Sequence, residues 1–223
     1  MSTELTMFER LLQLPLFQGL TNLEISELMS HVRLDFVNYQ AGDEIVGQDE
    51  PCKQLYCIIN GDVMAEYRDP QGRFVLREKL KNLGIIEPFN MFGMYQKFSR
   101  TYLFDSDGIT LAIDKQQFFR QFLARDIVRM NMLNISCNKF QQTQKLLCHG
   151  ADNTIAEKIA KFIKANSITD KGHKSIDINM KVLADIVHET RLNVSKTLND
   201  LQNKDIITLN RGGFIIPEVQ SII

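Results

Sequence analysis

Arg191, Asn193, Ser195, Lys196 and Asn199 crowd the short run "RLNVSKTLN", with Thr190 just ahead of it. Each side chain brings a different hydrogen-bonding competence. A guanidinium can grip guanine O6 and N7 with two parallel bonds, and a carboxamide can read adenine. Hydroxyl and ammonium groups can hold phosphates. Spacing turns this composition into a candidate site. Val194, Leu198 and Leu201 recur at i, i+4 and i+7 and face inward on a helix. That leaves Arg191, Leu192, Ser195, Lys196 and Asn199 outward, with Asn193 nearer the edge. Thr190 is placed to cap the helix.

Two neighbouring elements must position this helix. Leu183, Ile186 and Val187 form the buried face of a shorter helix beginning near "NMK", and His188-Glu189-Thr190 is the turn between the two. After the second helix, "IITLNRGGFII" reads as a β-hairpin with Gly where positive φ is needed and Arg211 at its tip. Two helices joined by about three residues and followed by a hairpin describe a winged helix-turn-helix, whose second helix enters the DNA major groove. A solvated polar face on any small helical domain would show some of the same pattern.

The rest of the chain is organised differently. Residues 4 to 30 read as helical, with Leu5, Phe8, Leu11 and Leu12 on one stripe. Thr21 followed by Glu24 is a capping-box pattern for a second helix. From Val32 to Ile113 short alternating runs such as "QLYCIIN", "VMAEYR" and "ITLAID" stand between turn signals, predicting an antiparallel sandwich or barrel. Asn60-Gly61, between Tyr56–Ile59 and Val63–Tyr67, is the strongest hairpin signal. From Lys115 to His149 a helical period runs for more than thirty residues without Pro or Gly. In it Met130, Leu133, Cys137, Phe140, Gln144 and Leu147 alternate at spacings of three and four, an a/d seam that suits a two-fold coiled-coil contact. A helix packed on its own domain is the alternative. Ile127, Met132 and Ile135 form a second stripe suited to covering the sandwich. "HGADN" breaks the pattern, with Asp152 or Asn153 available to cap the helix "TIAEKIAKFIKAN".

Composition excludes more than it selects. The chain has 223 residues, 44% hydrophobic and 24% charged, with a net charge of −1, so no global basic field announces nucleic acid. From Ala151 onward there are 10 Lys+Arg against 9 Asp+Glu, a small positive balance. The N-terminus does not read as a signal peptide, and no apolar run reaches the ~20 residues of a membrane span. Four cysteines without dense spacing fit a reducing compartment. A cytoplasmic protein without membrane contact is expected.

The whole length resembles the cyclic-AMP receptor protein/FNR (CRP/FNR) family of bacterial transcription regulators. "YQAGDEIVGQDEPCKQLYCIINGDVMAEYRDPQGR" is similar to the first half of the family's β-roll, and "IDKQQFFRQF" to the helix that closes it. "LADIVHETRLNVSKTLNDLQNKDII" is similar to the recognition region. The resemblance implies an α+β chain: an effector-type, cyclic-nucleotide-binding-like β-roll with N-terminal helices over residues 1–114. A dimerisation helix region follows over 115–149, then a winged-helix DNA-binding domain over 150–223. It implies that Arg191 reads a base and that Lys196 makes a second basic contact. It also implies a homodimer and RNA polymerase as a partner. Leu192, however, stands where many members carry an acidic base-reading residue, which should shift sequence preference.

The resemblance also locates an effector pocket and puts its usual ligand in doubt. Members that bind cyclic AMP hold the ribose with a Gly-Glu pair and the phosphate with Arg-Ser or Arg-Thr. Here Phe89 follows Pro88 at the first place, and Phe98 occupies the arginine position. Glu87, Asn90, Ser99 and Arg100 remain as polar candidates in a displaced register, with Thr143 on the long helix as a further one. Cyclic AMP is therefore not expected, no cofactor is expected, and a different effector or none stays open.

Other chemistry finds little support. Cys52 and Cys57 fall on opposite faces of a strand, and Cys137 and Cys148 lie about 16 Å apart along a helix. Histidines at 31, 149, 173 and 188 give no i, i+4 ligand pair, so no metal site is expected. No GxSxG, HExxH or Walker pattern appears, and an enzyme is not expected. The reading is a homodimeric regulator that binds a pseudo-palindromic site on double-stranded DNA. Thr190, Asn193, Asn199 and Arg211 are positioning contacts beside Arg191, Lys196 and Ser195. The competing class is a cyclic-nucleotide, haem or redox sensor, or a partner-binding module, without specific DNA binding.

Overall fold

The computed structural model describes residues 7–32, 34–81, 84–148, 154–169 and 171–219. Two compact units divide the chain: residues 1–63 with 81–141, and residues 64–80 with 142–223. This division differs from the expected boundaries at 114 and 149, because a segment of the roll region groups with the C-terminal residues.

The first unit begins with α1 (Met7–Gln13) and α2 (Asn22–Ser30). The Thr21 hydroxyl accepts from the Glu24 amide at 3.2 Å and the Glu24 carboxylate accepts from the Thr21 amide at 2.8 Å, completing the expected capping box. Strands β1 (Asp35–Tyr39) and β3 (Gln54–Asn60) flank β7 (Gly108–Asp114) in one antiparallel sheet. Strand β2 (Glu44–Val46) pairs with β6 (Thr101–Phe104). Leu55 and Cys57 on β3, with Leu111 and Ile113 on β7, carry a core that buries Leu11, Ile25 and Leu28 from the helices and Phe17 from the turn between them.

Two expectations need correction here. Asn60-Gly61 does not close a hairpin, for β3 pairs with β7 (Ile58↔Thr110, Asn60↔Ile109), while β4 (Val63–Arg68) lies in the other sheet. The turn is held instead by the Asp62 amide on Ser106 Oγ at 3.0 Å and the Asp105 amide on the Asp62 carbonyl at 2.8 Å. Turn chemistry specifies a reversal, not the strand that will pair afterwards. The helical period from Lys115 is likewise not one helix. A short α3 (Lys115–Gln117) and a wide π-type turn (Phe118–Phe122) precede α4 (Asp126–Cys148). The Leu123 amide reaches back to the Phe118 carbonyl, which lets Phe118 and Phe122 both enter the core at 0% exposure. On α4, Val128 and Met132 are buried in that core, with Ile127 and Ile135 packed against it, as the second stripe requires.

In the second unit β4 and β5 (Phe74–Leu80) are joined across Asp69–Gly72. The Asp69 amide bonds the Phe74 carbonyl at 3.1 Å. Strand β5 pairs with β8 (Lys174–Ile178), and β8 with β10 (Gly213–Ile216). Over this sheet lie α5 (Ile155–Ala165), α6 (Met180–Ile186) and α7 (Arg191–Asn203). Ile159, Ile163, Leu183, Val194 and Leu198 are fully buried against Leu76, Ile176 and Phe214. The expected caps Asp152 and Asn153 lie outside the described residues; Thr154 caps α5 with a second capping box.

Candidate nucleic-acid interface

The turn from α6 to α7 is built from local chemistry. Val187 ends α6, His188 takes a left-handed conformation at φ 54°, and the Glu189 amide returns to the Ala184 carbonyl at 3.0 Å. Thr190 then caps α7, its hydroxyl accepting from the Asn193 amide at 3.2 Å. That bond satisfies one of the donors a helix start leaves open. A tie that sequence reasoning missed braces the turn from behind. Lys158 Nζ on α5 meets Glu189 Oε1 at 2.6 Å, with both side chains partly covered. A lone Lys and a lone Glu thirty-one positions apart carry no sequence signal.

Val194, Leu198 and Leu201 fill the inner face of α7, at 0%, 0% and 6% exposure. The spacing read from the sequence therefore sets which side of α7 meets solvent. Arg191, Asn193, Lys196 and Asn199 are exposed, Ser195 is half-buried, and Leu192 stands 78% exposed among them. β9 (Thr208–Asn210) and β10 form the hairpin expected after α7, with Arg211 exposed at its tip. Gly212 adopts φ 101°, and a Cβ at Gly213 would run into the Ile176 carbonyl oxygen, so both glycines are demanded by the backbone. Arg191, Asn193, Lys196 and Asn199 thus share one exposed helix, with Ser195 half-covered on it. Such a surface offers bidentate, amide and cationic groups on a rigid rod about as wide as the DNA major groove.

The polar residues singled out within the roll segment form a different kind of site. Glu87 is 7% exposed and sits at φ 35°, directly before the turn Pro88–Met91. Its Oε2 accepts from the Ser99 amide at 2.8 Å and from Asn90 Nδ2 at 2.5 Å. Its Oε1 accepts from Ser99 Oγ at 2.6 Å and from the Tyr102 hydroxyl at 2.8 Å. Glu87, Asn90 and Ser99 are therefore brought together, and Tyr102 joins them without having been foreseen. Arg100 follows in the chain and is buried, whereas Thr143 is exposed on the part of α4 that belongs to the second unit. Phe98 is buried, 2% exposed, and Phe89 packs against the apolar core.

The remaining candidates are readily placed. Met130, Leu133 and Phe140 leave 55%, 57% and 64% of their surface in solvent, and Cys137 and Gln144 are also exposed. The side chain of Leu147 lies outside the described residues. Cys57 is fully buried and its thiol pKa is pushed up to about 12 by loss of water. That of Cys52 is pushed up to about 11 by burial and by the nearby Glu87 charge. Neither is a ready thiolate. Among the described residues no group of three His, Cys, Asp or Glu could hold a metal, and no helix is long and apolar enough to cross a membrane.

No family model matches the chain. A CRP-like cAMP-activated global transcriptional regulator of Mycobacterium tuberculosis is 24% identical over 230 residues, covering 97% of this chain and 98% of the relative. Among solved structures, a catabolite activator protein of Thermus thermophilus is 18% identical, with a TM-score of 0.44 and coverage of 93% and 96%. DNR of Pseudomonas aeruginosa is also 18% identical, with a TM-score of 0.46 and coverage of 100% and 98%. The end-to-end similarity to the mycobacterial regulator agrees with the resemblance to the CRP/FNR family of transcription regulators that the motifs quoted above carry.

Proposed function

We propose that this protein is a homodimeric, sequence-specific DNA-binding transcription regulator. In this reading its two copies of α7 enter successive major grooves of a pseudo-palindrome, with half-sites about one helical turn, ~34–36 Å, apart. The observation that carries this reading is the geometry of α7. Its apolar face is locked into the core, its N-terminus is capped by Thr190, and Arg191, Asn193 and Lys196 project from the first turns. Arg191 reads a base, Lys196 and Ser195 support it, and Thr190, Asn193, Asn199 and Arg211 set the register on the backbone. The two copies join through the α4 seam of Met130, Leu133, Cys137, Phe140, Gln144 and Leu147, which would cover the apolar surface that Met130, Leu133 and Phe140 leave in solvent. RNA polymerase is the expected protein partner.

Any effector of the roll is a molecule other than cyclic AMP. The Glu87 carboxylate is already saturated by donors from Ser99, Tyr102 and Asn90, so it has little left to offer a ribose. Selection of duplexes from a random pool by the purified, ligand-free protein tests the proposal. Enrichment of a palindrome with half-sites one turn apart is expected. Enrichment of nothing, both alone and in cell extract, would remove DNA as the partner.

A further inference from the structure

Strand β5 comes from the first half of the chain, nearly a hundred residues ahead of the strand it pairs with. Its register is Phe74↔Ile178, Leu76↔Ile176 and Glu78↔Lys174 on one face. The first two pairs are apolar and buried. The third, at the end of the same buried row, is an ion pair at 2.7 Å, with the two side chains 1% and 0% exposed. Burying two charges is costly unless every donor and acceptor is matched. Here the matching is thorough. Lys174 Nζ gives its remaining bonds to the Lys171 carbonyl at 3.0 Å and to Thr169 Oγ1 at 3.4 Å. The Glu78 carboxylate also accepts from the amides of Ile168 at 2.6 Å and Thr169 at 3.4 Å. On the opposite face, Arg77 bridges Glu66 on β4 at 2.6 Å and Asp177 on β8 at 2.5 Å.

A slip of one residue would therefore move Arg77 into the apolar layer and Glu78 out of it, breaking both arrangements together. The sheet so fixed is the one on which α7 rests. Ile176 lies between the β5 row and Phe214 of β10, and all of these pack under Val194 and Leu198. We propose that Glu78 and Lys174 are positioning residues of the DNA-binding unit. Their buried pair holds β5 in register on β8 and thereby fixes the platform beneath the recognition helix. The part of this inference that concerns DNA rests on the function proposed above.

The test uses the full-length protein. It compares amide hydrogen exchange at Ile168 and residues 174–178 with binding to the selected operator and to random duplex. Glu78→Gln strands a buried ammonium and is expected to speed that exchange by about a hundredfold or more. It should lower the preference for operator over random duplex, a ratio that uniform loss of folded protein leaves unchanged. Combining it with Lys174→Gln provides two neutral amides able to bond each other, and should recover protection and preference together. Arg77→Gln, on the solvent face, is the milder variant should Glu78→Gln fail to fold, and should shift both readouts in the same direction. Unchanged exchange overturns the inference, as does faster exchange with the operator preference intact. A wild-type chain that selects no operator overturns the DNA reading instead. The exchange arm, which needs no DNA, still decides whether the pair holds the two strands.

Discussion

Glu87 offers a sharp test of the roll segment, because its two oxygens are used differently. Oε2 faces N–H donors, the Ser99 amide and Asn90 Nδ2, whereas Oε1 faces hydroxyls, those of Ser99 and Tyr102. A hydroxyl can rotate from donating to accepting; an amide N–H cannot. Glutamine therefore fits in one orientation, its carbonyl toward the N–H donors and its NH2 toward the two hydroxyls. The loss is confined to charge assistance, about 1 kcal/mol. Alanine leaves the Tyr102 hydroxyl, 1% exposed, and the Ser99 amide without their acceptor. A buried unsatisfied polar group costs about 1–3 kcal/mol, while Asn90 and Ser99 Oγ can turn to water. The expected order is Glu87→Ala at about 3–4 kcal/mol and Glu87→Gln at about 1 kcal/mol.

With two compact units in the chain, a single unfolding midpoint would blend their stabilities. Hydrogen exchange at the Ser99 amide reads the network directly, since that amide donates to Glu87. Urea unfolding followed by circular dichroism supplies the wider check; the chain has no tryptophan to report on it. If glutamine proves as damaging as alanine, the assignment of donors to the two oxygens is wrong. If both changes fall within about 0.5 kcal/mol of wild type, the Tyr102 hydroxyl and the Ser99 amide find other acceptors and the Glu87 contacts add no net stability.

Arg191→Ala should weaken operator binding by about 1–3 kcal/mol and relax preference at one base pair; equal loss on operator and random duplex would remove its base-reading role. Leu133→Asp with Phe140→Asp places charge on residues 57% and 64% exposed, so the fold should survive while sedimentation shows monomers. A persisting dimer would exclude the α4 seam. Asp69 is held at a pKa of about 2, below its usual 3.8, mainly by its hydrogen bonds from the Arg73 side chain. A carboxyl whose pKa is depressed by folding stabilises the chain above pH ~4 and loses that contribution as pH falls toward about 2. The stability gap between wild type and Asp69→Asn should therefore be level at neutral pH and close over that acid window in urea titrations. A gap that persists at pH 2 would contradict the pairing.

What could be read from sequence was whatever short-range spacing determines. Thr21 with Glu24, the inner face Val194, Leu198 and Leu201, and the cap at Thr190 each involve partners within one or two helical turns, and each is found as read. The failures share the opposite property. Asn60-Gly61 makes its reversal, but whether β3 then meets β4 or β7 depends on residues fifty positions away. The pause at Phe118–Phe122 was hidden because Phe118 and Phe122 keep an apolar period through a π-type turn as well as through a helix. Glu78 and Lys174 are ninety-six positions apart and each is the commonest sort of surface residue. Nothing local marks them for burial. Around Glu87, the polar types and spacing mark Asn90 and Ser99, whereas Tyr102 is one more aromatic in the alternating stretch from Val32 to Ile113.

The weak net charge bears on how such a protein would recognise DNA. Recognition that relied on phosphate attraction would need a broad basic face, and the C-terminal 73 residues carry 10 basic against 9 acidic side chains. Affinity must then come from accurate placement of a few groups on α7, and accuracy demands a rigid support. Polar contacts supply that support: the Thr190 cap at the start of the helix, the partly covered Lys158–Glu189 brace behind the turn and the buried Glu78–Lys174 pair beneath. One such helix offers few contacts, so two copies linked through a shared seam would multiply a modest half-site affinity by effective concentration. In such a dimer the seam on α4 would matter as much to operator affinity as Arg191, because losing it would leave each copy of α7 to bind alone.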